Sequence, residues 1–258
     1  MKRIQDFKVA GYTWLNRDSY LIELESEQDL PGIAPGNFAE IKVPGNPGVF
    51  LRRPFSIFDV DYDYRVLSIF IKIIGEGTRA LGSLNQGQPV SLIYPLGNTF
   101  SIPEKGPVLI IAGGSGMAPF LLLGKKLKER SVNATYLLGG RTSEDLHMIE
   151  TFSDYGQVFA STEDGSAGTQ GVVTDHEVLK DKTLPFRMIY TCGPDPMMKA
   201  VARLARQRNI PCEASLEHMM ACGFGACLCC VTETAEGKNV CVCTEGPVFN
   251  VKNLAWQI

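Results

Sequence analysis

Residues 107–120 read PVLIIAGGSGMAPF. An apolar run closes on Gly113, Gly114 and Gly116 and leads into FLLLGKKLKER, which has the spacing of a helix. Strand, glycine turn and helix in this order form the opening unit of a parallel α/β module, whose ligands bind beyond the carboxyl ends of its strands. The spacing is G-G-x-G-x-x-P, which departs from the G-x-G-x-x-G dinucleotide fingerprint, and a tight turn without a ligand would account for it equally well. A second segment, TCGPDPM (191–197), ends a later apolar strand and adds Cys192, Gly193 and Pro194 to the same edge.

Downstream of residue 107, apolar runs alternate with helical stretches: NATYLLGG, a helix opened by TSED, QVFAST, a helical turn at TDHEVLK, FRMIYTCG, and the helix DPMMKAVARLARQRN. Alternation of these lengths predicts a parallel sheet covered on both faces, over residues 101–211. Upstream the pattern differs. SYLIELE, NFAEIKV, YRVLSIFIKII and QPVSLIYPL are β-rich, are separated by turns such as VPGNPG and LNQGQ, and include one short helix, GTRALGSL. Residues 1–100 are expected to form a small antiparallel barrel.

From residue 212 to 258 neither pattern continues, and six of the eight cysteines crowd between Cys222 and Cys243. Few residues there can form a core, so a metal centre is expected to cross-link the segment. Cys222, Cys227 and Cys230 follow the C-x4-C-x2-C spacing of a plant-type 2Fe-2S centre, which needs one remote fourth thiolate. Gly223 and Gly225 allow amide groups to turn towards the sulfur atoms. A structural zinc site would use paired C-x2-C knuckles, and only Cys227 and Cys230 form one. Cys241 and Cys243 are both candidates for the fourth position. They would share one face if NVCVC were a strand, so parity does not choose between them.

Composition narrows the classes further. A hydrophobic fraction of 45%, a charged fraction of 21% and a net charge of -3 belong to an ordinary globular chain. They suggest neither a nucleic-acid partner nor an anionic membrane surface. No apolar run approaches the ~20 residues that span a bilayer. The N-terminal MKRIQDFKVAGYTW lacks the apolar centre of a signal peptide, and the expected compartment is the cytosol. His147, His176 and His218 are scattered, and the methionine pairs at 197–198 and 219–220 read as core filler.

In the first module, RRPFSIFD (52–59) and GEGT (75–78) could be a solvated strand edge and a helix cap made by Thr78. Together they fit an anionic cofactor, with an arginine on a pyrophosphate and a glycine-flanked helix start beside it.

The ordered set RPFS, GEGT, GGSGMAP and CGPDPM resembles the ferredoxin–NADP reductase superfamily, which joins a flavin-binding barrel to a nicotinamide-binding α/β domain. The ending SLEHMMACGFGACLCC…VCTEGPVF narrows the resemblance to electron-transfer subunits of the NAD-linked, class B dihydroorotate dehydrogenases. Essentially the whole chain is covered.

The resemblance implies a 1–100 FAD-binding barrel, a 101–211 NAD-binding domain and a 212–258 2Fe-2S domain. It places Arg53, Pro54, Phe55 and Ser56 on FAD, with Phe70, Ile71 and Lys72 on the next strand and Gly77 and Thr78 at the phosphate. Gly113, Gly114, Gly116 and Met117 would frame the nicotinamide nucleotide with Cys192, Gly193 and Pro194. The metal ligands it implies are Cys222, Cys227, Cys230 and Cys243. Phe55 stands where many members have Tyr, and Cys229 is an extra thiol. Arg141, with Glu144 and Asp145 close by, leaves NAD against NADP open on residues alone; the resemblance favours NAD.

A flavin belongs between a two-electron nicotinamide and a one-electron cluster because it handles both. No residues remain for oxidising a substrate, so a second protein is expected. In the resembled complex it is an FMN-containing catalytic subunit in a heterotetramer of two copies of each chain, serving pyrimidine biosynthesis. A related flavin and iron–sulfur subunit, of sulfide dehydrogenase or NADH-dependent ferredoxin:NADP oxidoreductase type, is the alternative.

Overall fold

The computed structural model describes residues 2–146, 148–180 and 186–256, so His147 falls outside the described set. The first unit is a closed antiparallel barrel of β1 (Arg3–Trp14), β2 (Ser19–Glu25), β3 (Phe38–Ile41), β4 (Arg53–Asp61), β5 (Val66–Lys72) and β6 (Pro89–Leu96), in the order β1-β2-β5-β4-β3-β6. Closure removes the open edges that such short strands would otherwise present. Alternation sorts the faces. Ala39 and Ile41 point into the barrel core with Ile57, Ile69 and Ile71, whereas Phe38 joins a different cluster outside it. The short helix α1 (Glu76–Leu81) follows β5.

The second unit is a seven-stranded sheet, ordered β10-β9-β8-β7-β11-β12-β15. Its strands are β7 (Val108–Gly113), β8 (Ala134–Gly140), β9 (Gly156–Thr162), β10 (Thr169–Gln170), β11 (Met188–Cys192), β12 (Cys212–Ser215) and β15 (Val248–Asn250). β7 to β12 pair in parallel, and β15 closes the edge antiparallel to β12. β7 is buried along its whole length, as expected of a central strand covered on both sides. The main covering helices are α2 (Phe120–Glu129) and α4 (Asp195–Gln207). The helix expected after TSED is a 3-10 turn over Ser143–Asp145, capped by Thr142, followed by the short α3 (Ile149–Ser153).

The appended segment crosses these units. β12 and β15 lie in the large sheet although both fall after residue 211, and only β13 (Val231–Glu233) and β14 (Asn239–Cys241) make a separate hairpin. NVCVC is a strand only as far as Cys241: α5 (Val242–Glu245) starts at the next residue, so Cys241 and Cys243 do not share a strand face.

One core cluster contains Phe58 and Phe70 of the barrel together with Phe100, Phe120 and Tyr190, so the barrel and the sheet are packed as one body. Asn98, in the connection between them, holds the C-terminal segment. Its Nδ2 donates to the carbonyls of Glu245 and Val248 at 2.8 Å each, and its Oδ1 accepts from the Val248 N–H at 2.9 Å. Asn98→Ala removes all three bonds. At about 1 kcal/mol net for each, the variant is expected to unfold several degrees earlier in a thermal melt, with proteolysis starting in residues 216–256.

Candidate functional site

Three loops meet at the carboxyl edge of the large sheet. They follow β7, β8 and β11, the expected ligand position for a sheet of this type, and they surround a cavity of about 720 Å³. Gly113, Gly114 and Ser115 form one wall, Gly139, Gly140 and Arg141 another, and Gly193 to Met197 a third. The turns approach so closely that side chains are excluded. A Cβ on Gly116 would lie 2.3 Å from the Cys192 carbonyl oxygen, and one on Gly193 would lie 3.0 Å from main-chain atoms of Gly113. Gly193 also adopts a φ of +144°, open in practice to glycine alone.

The residues expected here divide by position. Gly113, Gly114, Gly193 and Pro194 line the cavity, whereas Met117 and Cys192 are buried in the core behind its wall. Met197 lines the cavity too, and Met219 is 85% exposed, so only the second methionine of each pair serves as core.

Lining residues that no sequence motif marks include Ser161, Glu163 and Glu217. Ser161 and Glu163 lie where β9 ends, and the strand-end rule would have found them. Glu217 is exposed and opens onto the cavity, with its carboxyl crowded by the surrounding protein. Burial raises its carboxyl, and the neighbouring Cys192 thiol, 3.9 Å away, works against that rise. Burial first, and Glu217 second, push the Cys192 thiol well up.

On the barrel side, Arg53, Pro54, Phe55 and Ser56 are half-buried along β4. The Arg53 guanidinium donates to the Leu51 and Arg52 carbonyls, and its Nε would lie 3.2 Å from a Cβ placed on Gly77. Arg53 and the start of α1 are therefore adjacent, as expected. Thr78 Oγ1 accepts from the Ile74 and Gly75 amides and donates to the Gly75 carbonyl, so the side chain itself caps α1. Phe55 packs against the barrel core. Ile71 is fully buried inside the barrel, and only its main chain is available to a ligand. Phe70 and Lys72 point outwards. Lys72 Nζ meets Asp145 Oδ1 at 2.7 Å and reaches the edge of the cavity. A second ion pair, Lys125 to Asp59 at 2.6 Å, also joins the two units.

The cysteine loop lies against β3. Cys222 is half-buried, Cys227 and Cys229 are exposed, and Cys230, Cys241 and Cys243 are buried. Gly223 and Gly225 have φ of +72° and +89°, which turns amide groups inwards. Burial works to raise the Cys222 thiol, but amide donors at Phe224, Cys227 and Ala226 and the Cys227 thiol outweigh it and bring it to about 6. Amides aimed at a sulfur favour its thiolate. The Cys243 N–H donates to Cys230 Sγ at 3.4 Å. Burial and Cys230 push the Cys243 thiol to about 12, against an amide contact from Gly225. Burial, with Cys230 next, also raises Cys241.

Among the described residues no three His, Cys, Asp or Glu side chains converge as a single-ion site. A two-iron cluster distributes four thiolates over two metals, and a glycine-turned loop whose amides reach the Cys222 sulfur suits such a centre.

Comparisons agree with this layout. Residues 217–255 match the iron–sulfur cluster binding domain of dihydroorotate dehydrogenase B, and residues 110–203 match the oxidoreductase NAD-binding domain. The chain is 37% identical to the dihydroorotate dehydrogenase B (NAD(+)) electron transfer subunit of Shouchella clausii, over 94% of this chain and 95% of the relative. It is 36% identical to the subunit of the same name from Bacillus velezensis, over 86% and 87%. Among solved structures, the NADH-dependent reduced ferredoxin-NADP oxidoreductase superposes with a TM-score of 0.87 at 28% identity, covering 97% of this chain and 90% of that one. The ferredoxin reductase of carbazole 1,9a-dioxygenase superposes at 0.69 with 22% identity over 81% and 67%, which shows the shared fold.

Asp145 generates a pH prediction. Burial alone would raise its carboxyl, but the hydrogen bond from Lys72 and the amide of Arg141 prevail and hold it below the ordinary 3.8. A depressed carboxylate contributes stability above the unfolded value and loses it as pH falls through the folded one. Asp145→Asn should thus lower the melting temperature most near neutral pH. The gap from wild type should close below about pH 4, measured by paired melts across pH.

Proposed function

The chain belongs to the family of dihydroorotate dehydrogenase B (NAD(+)) electron transfer subunits, and from that membership we infer that it carries electrons from a catalytic partner subunit through a 2Fe-2S cluster and FAD to NAD+ in pyrimidine biosynthesis. The observation that carries this reading is the seat of the cysteine loop. The loop packs on β3, whose next neighbour is the RPFS strand β4, and β5 beyond it carries Lys72 to the nicotinamide cavity. A cluster, a flavin and a nicotinamide held by these three places would lie in sequence across adjoining strands. When bound, FAD supplies the exchange between hydride chemistry and single-electron transfer.

The chain's own residues divide the work as follows. Arg53, with Gly77 and the start of α1, would hold the flavin pyrophosphate. Pro54 and Ser56, with Phe70 and the main chain of Ile71, would face the ring system, and Phe55 would brace β4 from inside the barrel. Lys72, paired with Asp145, would order the passage from flavin to nicotinamide. Gly113, Gly114, Gly193 and Pro194 would receive the nicotinamide nucleotide, while Gly116, Met117 and Cys192 keep the wall closed behind them. Cys222, Cys227 and Cys230 are the first three cluster ligands. Cys243 is the fourth, supported by the Gly225 amide that reaches its sulfur from within the ligand loop.

The partner would be an FMN-containing catalytic subunit, two copies with two of this chain. No helix among the described residues is long and apolar enough to cross a membrane. The sulfide dehydrogenase or ferredoxin:NADP oxidoreductase type of complex is the weaker reading, because the family model for the cysteine segment is that of dihydroorotate dehydrogenase B.

Reconstitution with the partner tests the assignment. NAD+-dependent orotate formation should require both proteins, and the isolated chain should leave dihydroorotate untouched; turnover by the chain alone would overturn the division of labour. Cys222→Ser and Cys243→Ser should each lose most of the iron and of the visible cluster absorption. Cys241→Ser should retain both.

A further inference from the structure

Glu40 is a charged-type side chain in a place that offers it no partner. It lies in the middle of β3, is 0% exposed, and neither carboxyl oxygen has a hydrogen-bond partner. Burying an ionised carboxylate without partners is among the most unfavourable placements a chain can make. The adjacent arginine gives the carboxyl no hydrogen bond: Arg52 donates to the Ser91 carbonyl and hydroxyl and to the main-chain carbonyl of Glu40 itself.

Register shows where the side chain points. Glu40 is paired with Pro54 on β4 and Ile93 on β6, and its neighbours Ala39 and Ile41 face the barrel interior. Glu40 therefore projects outwards, on the face it shares with Phe38, which packs in the cluster holding Cys230, Cys241 and Cys243. There it meets the cysteine loop. A Cβ on Gly223 would lie 2.6 Å from Glu40 Cγ and 3.1 Å from Oε1, so the loop rests directly on the carboxyl-bearing end. A carboxyl this buried, with neither oxygen partnered, is held in its neutral form by burial. A cluster of net negative charge held by that loop would favour the neutral form further.

We propose that Glu40 is an outer member of the cluster site: a neutral carboxylic acid that donates its hydrogen to the sulfur atoms gathered by the Cys222–Cys227 loop and so raises the reduction potential of the centre. Sulfur is the acceptor missing from the structure's account of this group, and hydrogen bonds to sulfur are among the factors that set iron–sulfur potentials. The direction follows from charge. A donor facing the sulfurs favours the reduced state, which carries one more negative charge. The inference rests on the assignment of a 2Fe-2S centre to this segment. It brings to the cluster a residue of the barrel strand β3, which pairs with the RPFS strand β4.

Redox titration of the holo complex, followed by the EPR signal of the reduced cluster, tests it. Glu40→Gln keeps a neutral donor and should leave the midpoint potential in place. Glu40→Met removes the donor and should shift the midpoint to lower potential, with Glu40→Leu as a second apolar shape. Removing a buried group that lacks partners does not threaten folding. Pulsed EPR in deuterated buffer should show a strongly coupled exchangeable deuteron in wild type and Gln that is lost in Met. An unchanged midpoint in Met and Leu would reduce Glu40 to packing and overturn the inference alone. A positive shift in Gln would mean an ionised carboxylate and overturn it too. Absence of any 2Fe-2S signal in wild type would overturn the assignment of the centre, and the inference with it.

Discussion

The structure depends on one short strand with two buried faces. β3 is four residues long and every one of them is buried. Ala39 and Ile41 complete the barrel, whereas Phe38 and Glu40 need cover from outside it. That cover is the cysteine segment, whose buried thiols Cys230, Cys241 and Cys243 pack in the same cluster as Phe38. A two-stranded hairpin such as β13–β14 is marginal by itself. Its placement follows from the apolar area it closes on the barrel and from whatever its thiolates hold. The electron outlet is thus built against the flavin unit by burial.

The nicotinamide edge is organised by exclusion. Gly116 and Gly193 are glycines because main-chain atoms occupy the space a Cβ would need, and this lets two strand ends share one cavity. The barrel is held to that edge by Lys72–Asp145 and Lys125–Asp59 over a common aromatic core. Partly exposed pairs of this kind contribute little stability. Their effect here is to fix orientation, since Lys72 stands at the mouth of the cavity.

Much of this was legible in the residues, and the exceptions have physical causes. The parallel sheet follows from apolar runs alternating with helical spacers, α4 among them. β1 does not read as a strand. Its twelve residues carry charges on the outer face and a bulge between Val9 and Gly11, which hides the alternation. NVCVC reads as a strand in composition, but the chain turns into α5 after Cys241 because its neighbours there are the Cys230 carbonyl and thiol, which accept the Val242 and Cys243 amides. β12 and β15 read as part of the appendix because each is only a few residues long and takes its identity from the partner strand. Glu40 was invisible for the same reason: an acid in NFAEIKV looks like the polar half of an alternating strand. Only the fold shows that the polar half is covered.

The antiparallel strand β15 has a consequence for how this architecture can be divided. It is the last partner in the sheet, and β12 would have an unpaired border without it. Trimming the chain after residue 216 to leave a simple flavin reductase would therefore bare a row of main-chain donors and acceptors, an invitation to self-association. The iron–sulfur tail is a sealing piece of the module that precedes it, so the two are obliged to travel as a unit.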